Sequence, residues 1–254
     1  MGSALGQDAR RSEARAISTL TLPLETDLTG KLVRRYKRFL ADVETPDGRV
    51  HTVHCANPGS MKGCATPGAS VRCSSSDNPK RKLRHTLEMI RVGRSWVGLQ
   101  PLHANRIAAM ALRAGAIPGF EGYREVKPEV AVGGGSRLDF RLGDHPRRHG
   151  EAYVEVKSVT LGEAGVARFP DAVTTRGRRH LETLARLRDE GSRAALLYIV
   201  QRVDCGSVEP ADEIDPDYGA ALRDAAARGV EVVAMQARVQ ARGIRLEGRL
   251  PVVL

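Results

Sequence analysis

The chain has 254 residues, 41% apolar and 28% charged, which excludes a disordered or fibrous protein and leaves room for one large core or two small ones. Its 40 Lys and Arg against 30 Asp and Glu give a formal charge of +10, a balance that favours a polyanionic partner. With no secretory segment and no apolar run of membrane-spanning length, the expectation is a soluble, cytoplasmic protein with no membrane partner.

Residues 1–19, rich in Ala, Arg, Ser and Gly without an apolar period, read as a flexible tail. From 20 to 103 the pattern is short strands separated by turn chemistry. The strands are Leu20–Leu24, Lys31–Val43, Val50–His54, Ser70–Ser74, Thr86–Val92 and Ser95–Leu99, broken by Pro46-Asp47-Gly48, Asn57-Pro58-Gly59, Pro67-Gly68 and Asp77-Asn78-Pro79. That spacing predicts a small OB-like β-barrel.

Arg34-Arg35-Tyr36-Lys37-Arg38-Phe39 interleaves basic and aromatic residues on one predicted strand. Arg35, Tyr36, Lys37 and Arg38 are therefore candidate nucleic-acid contacts, cations for phosphates and rings for bases. The competing reading buries Phe39 in the core and leaves the cations solvated. The run Lys80-Arg81-Lys82-Leu83-Arg84-His85 either extends that surface or is an ordinary charged loop. The tight segment from His54 to Met61 is either a structural turn or an anion cradle, and it lacks the pattern of a nucleotide P-loop. Cys55, Cys64, Cys73 and Cys205 match no common zinc spacing and read as reduced, buried residues.

From 104 to 254 the pattern becomes α/β. A helix is predicted from Asn105, with Ile107, Met110, Ala111 and Ala114 repeating at three and four and Gly115 as its stop. Strand-like Tyr123–Val132 follows, then two alternating runs, Ser136–Phe140 and Tyr153–Lys157, joined by the polar segment 143–150 as an antiparallel hairpin. A helix from about Thr175 to Glu190, a buried strand Ala194–Val200, a helix from Asp215-Pro216 through Arg228 and a strand Val230–Met235 complete an α/β sheet.

The hairpin carries the chemistry. The strand period of two places Glu155 and Lys157 on one face, and Asp139 joins them from the neighbouring strand, giving D-x15-E-x-K. Two carboxylates suffice to hold a Mg2+ or Mn2+ ion that keeps most of its waters, with the carbonyl of Val156 between them. An ammonium beside them orients a water. Only 7 of the 40 basic residues are Lys, so Lys157 is informative where Arg would have supplied charge alone. Glu121 and Glu125 are candidates for a third acid. The tripeptide Glu-Val-Lys occurs twice, at 125–127 and 155–157, and only the second has both a preceding Asp strand and a following basic helix. The competing reading is a set of surface salt bridges on a solvated sheet face.

Several runs resemble the sugar fermentation stimulation protein A family: Asn57-Pro58-Gly59-Ser60-Met61, Ser136-Arg137-Leu138-Asp139-Phe140, Glu155-Val156-Lys157-Ser158-Val159-Thr160-Leu161, Phe169-Pro170-Asp171-Ala172-Val173-Thr174-Thr175-Arg176-Gly177 and His180-Leu181. The resemblance runs from about Leu20 to the C-terminus. It implies an N-terminal OB-like barrel followed by a PD-(D/E)xK restriction-endonuclease-like α/β domain, DNA binding and a metal-dependent nuclease activity. It places the metal acids at Asp139 and Glu155 and the catalytic lysine at Lys157, with Leu138 standing where the superfamily name has Pro. Arg176 and His180, one helical turn apart near a helix N-terminus, become candidate phosphate contacts, as does Arg137. Asp171 is expected to cap or position that segment.

The leading expectation is thus a Mg2+- or Mn2+-dependent nuclease acting on DNA or RNA, its oligomeric state open to a homodimer. The alternative is a non-catalytic DNA-binding protein regulating sugar-utilisation genes, bound mainly to the DNA backbone because no helix-turn-helix or zinc finger is recognisable.

Overall fold

Two β structures share the chain, and the first is entered only after one strand has been given to the second. In the computed structural model, which describes residues 20–254, β1 (Thr21–Pro23) pairs antiparallel with the last strand, β16 (Gly243–Leu250). The expected tail at 1–19 lies outside the described residues. Leu22 and Leu24 are buried in the C-terminal core, so the segment assigned to the barrel from residue 20 belongs to the other domain. Its alternation marked a strand correctly but carried no information about the partner.

The barrel consists of β2 (Leu28–Tyr36), β3 (Leu40–Glu44), β4 (Val50–His54), β5 (Ser70–Ser75) and β6 (His85–Val92). β2 lies between β3 and β5, β4 follows β3, and β6 pairs with β5 and closes the ring onto β4 through His54 and Thr86. Leu32, Val43, Val53, Val71, Leu87 and Ile90 fill it. The single strand expected over Lys31–Val43 is a hairpin: β2 and β3 turn at Lys37–Phe39, with Lys37 and Arg38 both at positive φ. Alternation runs through a tight hairpin uninterrupted when no Gly or Asn announces the turn, so the break was invisible in the pattern. Phe39 is 44% exposed rather than core.

β7 (Ser95–Gly98) leads from the barrel into α1 (Pro101–Arg113). The helix starts four residues before the expected Asn105 because Pro101, its fixed φ suited to the first turn, opens it. The second domain is a seven-stranded sheet in the order β1, β16, β15 (Glu231–Gln240), β13 (Arg193–Val200), β10 (Ala152–Val159), β9 (Arg137–Gly143), β8 (Glu125–Ala131). β10, β13 and β15 run parallel, and α2 (Thr175–Asp189) and α3 (Pro216–Ala227) make the crossovers.

Strand alternation sorts the apolar side chains onto two faces. Val154, Val156, Leu197 and Ile199 pack with Ile107 and Ala111 of α1, whereas Leu196, Tyr198 and Val200 pack with Leu181, Leu184 and Leu222 of α2 and α3. A three-stranded ribbon, β11 (Leu161–Glu163), β12 (Val166–Phe169) and β14 (Ser207–Pro210), sits beside the C-terminal end of β10. The four cysteines are buried and free. No helix among the described residues is long and apolar enough to cross a membrane.

Candidate active site

β9 and β10 form the expected antiparallel hairpin, with Ala152 opposite Leu142, Tyr153 opposite Arg141 and Val154 opposite Phe140. One step further that register sets Asp139 across from Glu155. There the backbone ladder ends and a side chain takes its place: Asp139 Oδ2 accepts the Val156 N–H at 2.8 Å. Asp139 Oδ1 accepts from Asn105 Nδ2 of α1 at 2.7 Å.

Glu155, on a strand flanked by β9 and β13, is 3% exposed. Its Oε1 accepts from Lys157 Nζ at 2.6 Å and from His180 Nδ1 of α2. Arg176 Nε lies 3.4 Å from His180 Nε2, and Lys157 Nζ lies 3.2 Å from His180 Nδ1, so both cations converge on the imidazole that holds Glu155. Glu155 Oε2 is buried without a hydrogen-bond partner.

The two acids are held in different states. Burial, and after it the charge of Glu155, push the Asp139 carboxyl up to about 6. Burial alone would raise Glu155 as well, but the hydrogen bond from His180 and the charge of Lys157 outweigh it and hold that carboxyl below its usual value.

These groups line a cleft of about 390 Å³ whose opposite wall comes from the barrel, where Asn57, Pro58, Gly59 and Arg38 face them. Arg176 and His180 line it too, near the start of α2. That helix is capped by Thr174, whose Oγ1 accepts from the Gly177 N–H at 3.0 Å, and Thr174 is itself fixed by Asp215. Asp171, expected to cap or position the segment, does the second: its Oδ2 accepts the Met61 N–H at 3.0 Å, tying the barrel loop to the sheet domain. The His54–Met61 loop is thereby a built turn that also walls the cleft.

The remaining expected contacts scatter. Arg35 spends its guanidinium on the carbonyls of Arg38, Asn57 and Gly59 at 2.8–3.0 Å, holding the hairpin turn against the loop. Tyr36 donates to Asp42 at 3.1 Å, and its ring lies under the Arg34 guanidinium, 4.6 Å from the ring centre. Lys37 and Arg38 remain exposed at the turn, and Arg38 reaches the cleft. Arg137 pairs with Glu129 at 3.0 Å outside the cleft. The run Lys80–His85 stays on a barrel loop away from it.

Neither candidate third acid reaches the pair. Glu121 accepts from the Gly119 N–H at 2.8 Å, and Glu125 is held by Lys127 at 2.9 Å and Arg141 at 2.7 Å. Among the described residues no three His, Cys, Asp or Glu side chains are grouped as a metal cage. The residues present nonetheless fit a hard divalent cation. The orphaned Oε2 of Glu155 needs a positive partner, and Asp139, its proton affinity raised by a second acid, gains from one, with waters completing the shell.

Asn105 and Asn57 are the site residues that the sequence did not reveal. Asn105 had the look of a helix start; its polarity beside the apolar stripe of α1 was the available signal.

A family model described as the sugar fermentation stimulation protein N-terminal OB domain matches residues 33–99, and one described as the RE domain of the same protein matches 102–243. The chain belongs to the sugar fermentation stimulation protein (SfsA) family. A homolog from Geotalea uraniireducens is 47% identical over 221 residues, covering 87% of this chain and 94% of the relative. One from Syntrophotalea carbinolica is 50% identical over 228 residues, covering 89% and 96%. Pyrococcus furiosus SfsA, solved in complex with Ca2+, superposes with a TM-score of 0.81 at 26% identity, covering 92% of this chain and all of that one. The five-stranded barrel is thus the SfsA OB domain and the seven-stranded sheet the body of its second domain.

Proposed function

We propose that this SfsA protein is a divalent-metal-dependent nuclease that hydrolyses phosphodiester bonds of DNA, and of RNA by the same chemistry. The observation that carries the reading is the buried, unpartnered Oε2 of Glu155 beside Asp139, in a cleft rimmed by Arg38 and Arg176. A buried carboxylate oxygen left without a donor costs about 1–3 kcal/mol or more, a cost that a bound cation removes.

Asp139, Glu155 and Lys157 fit the acid, acid and lysine of a PD-(D/E)xK site, and the first two would hold Mg2+ or Mn2+. When bound, the ion supplies positive charge at the phosphate and raises the acidity of a water. The chain's own groups do the rest. Arg38 and Arg176 pair with the flanking phosphates at the rim, and Lys37 adds charge from the hairpin turn. Lys157 gives one N–H to Glu155 and lies 3.2 Å from His180 Nδ1, which still leaves a donor for a water or a developing phosphate charge. His180 holds Glu155 Oε1, which leaves Oε2 without a partner and free to help hold a cation. The Ca2+ of the Pyrococcus furiosus relative supports a divalent ion in this family.

Purified protein is expected to cut DNA with Mg2+ or Mn2+, and Asp139→Ala or Glu155→Ala to abolish cutting while DNA binding persists. Undiminished cutting by both variants would refute the assignment.

A further inference from the structure

The acid side of the cleft is accounted for, but its barrel side holds a donor with no assigned work. Asn57 is 6% exposed, and its Oδ1 accepts the Gly59 N–H at 2.8 Å. A backbone N–H only donates, so this bond fixes the amide: Oδ1 faces its own loop and Nδ2 is the group left over. Nδ2 has no partner among the described residues, and Asn57 lines the same cleft as Asp139, Glu155 and Lys157. A structural turn of this kind needs only the oxygen, which Asp or Ser also provides. The amide N–H groups exceed that need.

The loop presenting Asn57 is held from two sides. Arg35 donates to the carbonyls of Asn57 at 3.0 Å and Gly59 at 2.8 Å, and Asp171 accepts the Met61 N–H from the other domain. A Cβ on Gly59 would fall 2.2 Å from Asp171 Oδ1, so only glycine allows the two domains to approach this closely. The distance from Asn57 to the acid pair is therefore set by the fold, as a preorganised donor requires. Its neutrality suits the place: a Lys or Arg here would be drawn onto Asp139 or Glu155, whereas an amide stays free for a group that only accepts.

We infer that Asn57 Nδ2 donates to a non-bridging oxygen of the phosphodiester seated over Asp139 and Glu155, so that residues of both domains complete the substrate site. The inference rests on the phosphodiesterase reading above and extends it to the barrel. Asn57→Asp tests it, because it keeps an oxygen for the Gly59 N–H while replacing the donor with negative charge. Binding of a short fluorescein-labelled DNA duplex is measured by anisotropy in Ca2+, and cleavage of the same duplex in Mg2+.

The variant is expected to bind about tenfold more weakly and to cleave about 100-fold more slowly. Wild-type affinity and wild-type cleavage in Asn57→Asp would overturn the inference. If the wild type does not cleave but Asn57→Asp still weakens binding, the contact stands and the nuclease reading falls. Should Asn57→Asp lower the melting temperature, Asn57→Ser decides, since its hydroxyl serves the Gly59 N–H but falls short of the cleft: unchanged binding and cleavage there would also overturn the contact.

Discussion

The chain contains Glu-Val-Lys twice, and the two copies show how little of the chemistry lies in the letters. Glu125 and Lys127 lie on β8, the edge strand, with side chains 39% and 56% exposed. Each carboxylate oxygen of Glu125 already has a cation, Lys127 on one and Arg141 on the other, and the hydrogen bond from Lys127 leads in keeping this acid below its usual range. Glu155 and Lys157 lie on β10, flanked by strands on both sides and covered by α2, with side chains 4% and 11% exposed. There the lysine and His180 converge on a single oxygen and leave the other unpaired. An exposed pair satisfies itself and is worth little; a buried, half-satisfied acid retains an unmet demand for positive charge.

Exchanging corresponding residues tests that contrast most severely. Lys157→Met is expected to lower kcat about 100-fold or more, and Lys127→Met to leave it within about twofold, both read in a Mg2+ cleavage assay. Equal losses would mean that both copies serve one site.

The next effect is on stability. Asp139 titrates near 6 in the folded chain, above its ordinary value of 3.8, so the folded state binds the proton more tightly than the unfolded one. That advantage is full below the unfolded pKa and disappears as pH rises through 6. Asp139→Asn removes the cost of the buried charge and keeps an oxygen for the Val156 N–H, while the Asn105 amide can turn over to accept. In the absence of divalent ions it is expected to stabilise the protein by about 2 kcal/mol at pH 8 and by almost nothing at pH 4, read from denaturant melts. Glu125→Gln should show no such pH-dependent gain.

A smaller effect is expected one contact further out. Asn105→Ala leaves Asp139 Oδ1 without its donor and should weaken Mn2+ binding about tenfold, measured by titration calorimetry, with the fold retained. Unchanged affinity would show that the Val156 N–H alone positions Asp139.

Much of this protein was legible in its residues because periodicity reports which face of an element is buried. Leu181, Leu184 and Leu187 on α2, the apolar run of β13, and Phe140, Leu142, Val154 and Val156 of the hairpin are buried where their spacing required, whereas Leu138, expected beside Phe140, packs into the core of α2 and α3. The hairpin brought Asp139 to Glu155 because a strand period of two and an antiparallel partner leave few other registers. Periodicity names no partner, and the failures share that cause. Thr21–Pro23 joined the distant β16 rather than the barrel, and Arg35, which resembled a phosphate contact, bonds to the carbonyls of Asn57 and Gly59 on the neighbouring loop.

By itself, then, the sequence determined the kinds and faces of the elements and the acid pair with its lysine, since these follow from local alternation and side-chain chemistry. The closure of the barrel, the wedging of the Asn57 loop against Asp171, and the burial that leaves Glu155 half-satisfied while Glu125 is fully paired were decided only in the tertiary structure. Burial and hydrogen-bond satisfaction belong to the whole packed assembly, and the same three residues acquire opposite roles at an edge and at a centre.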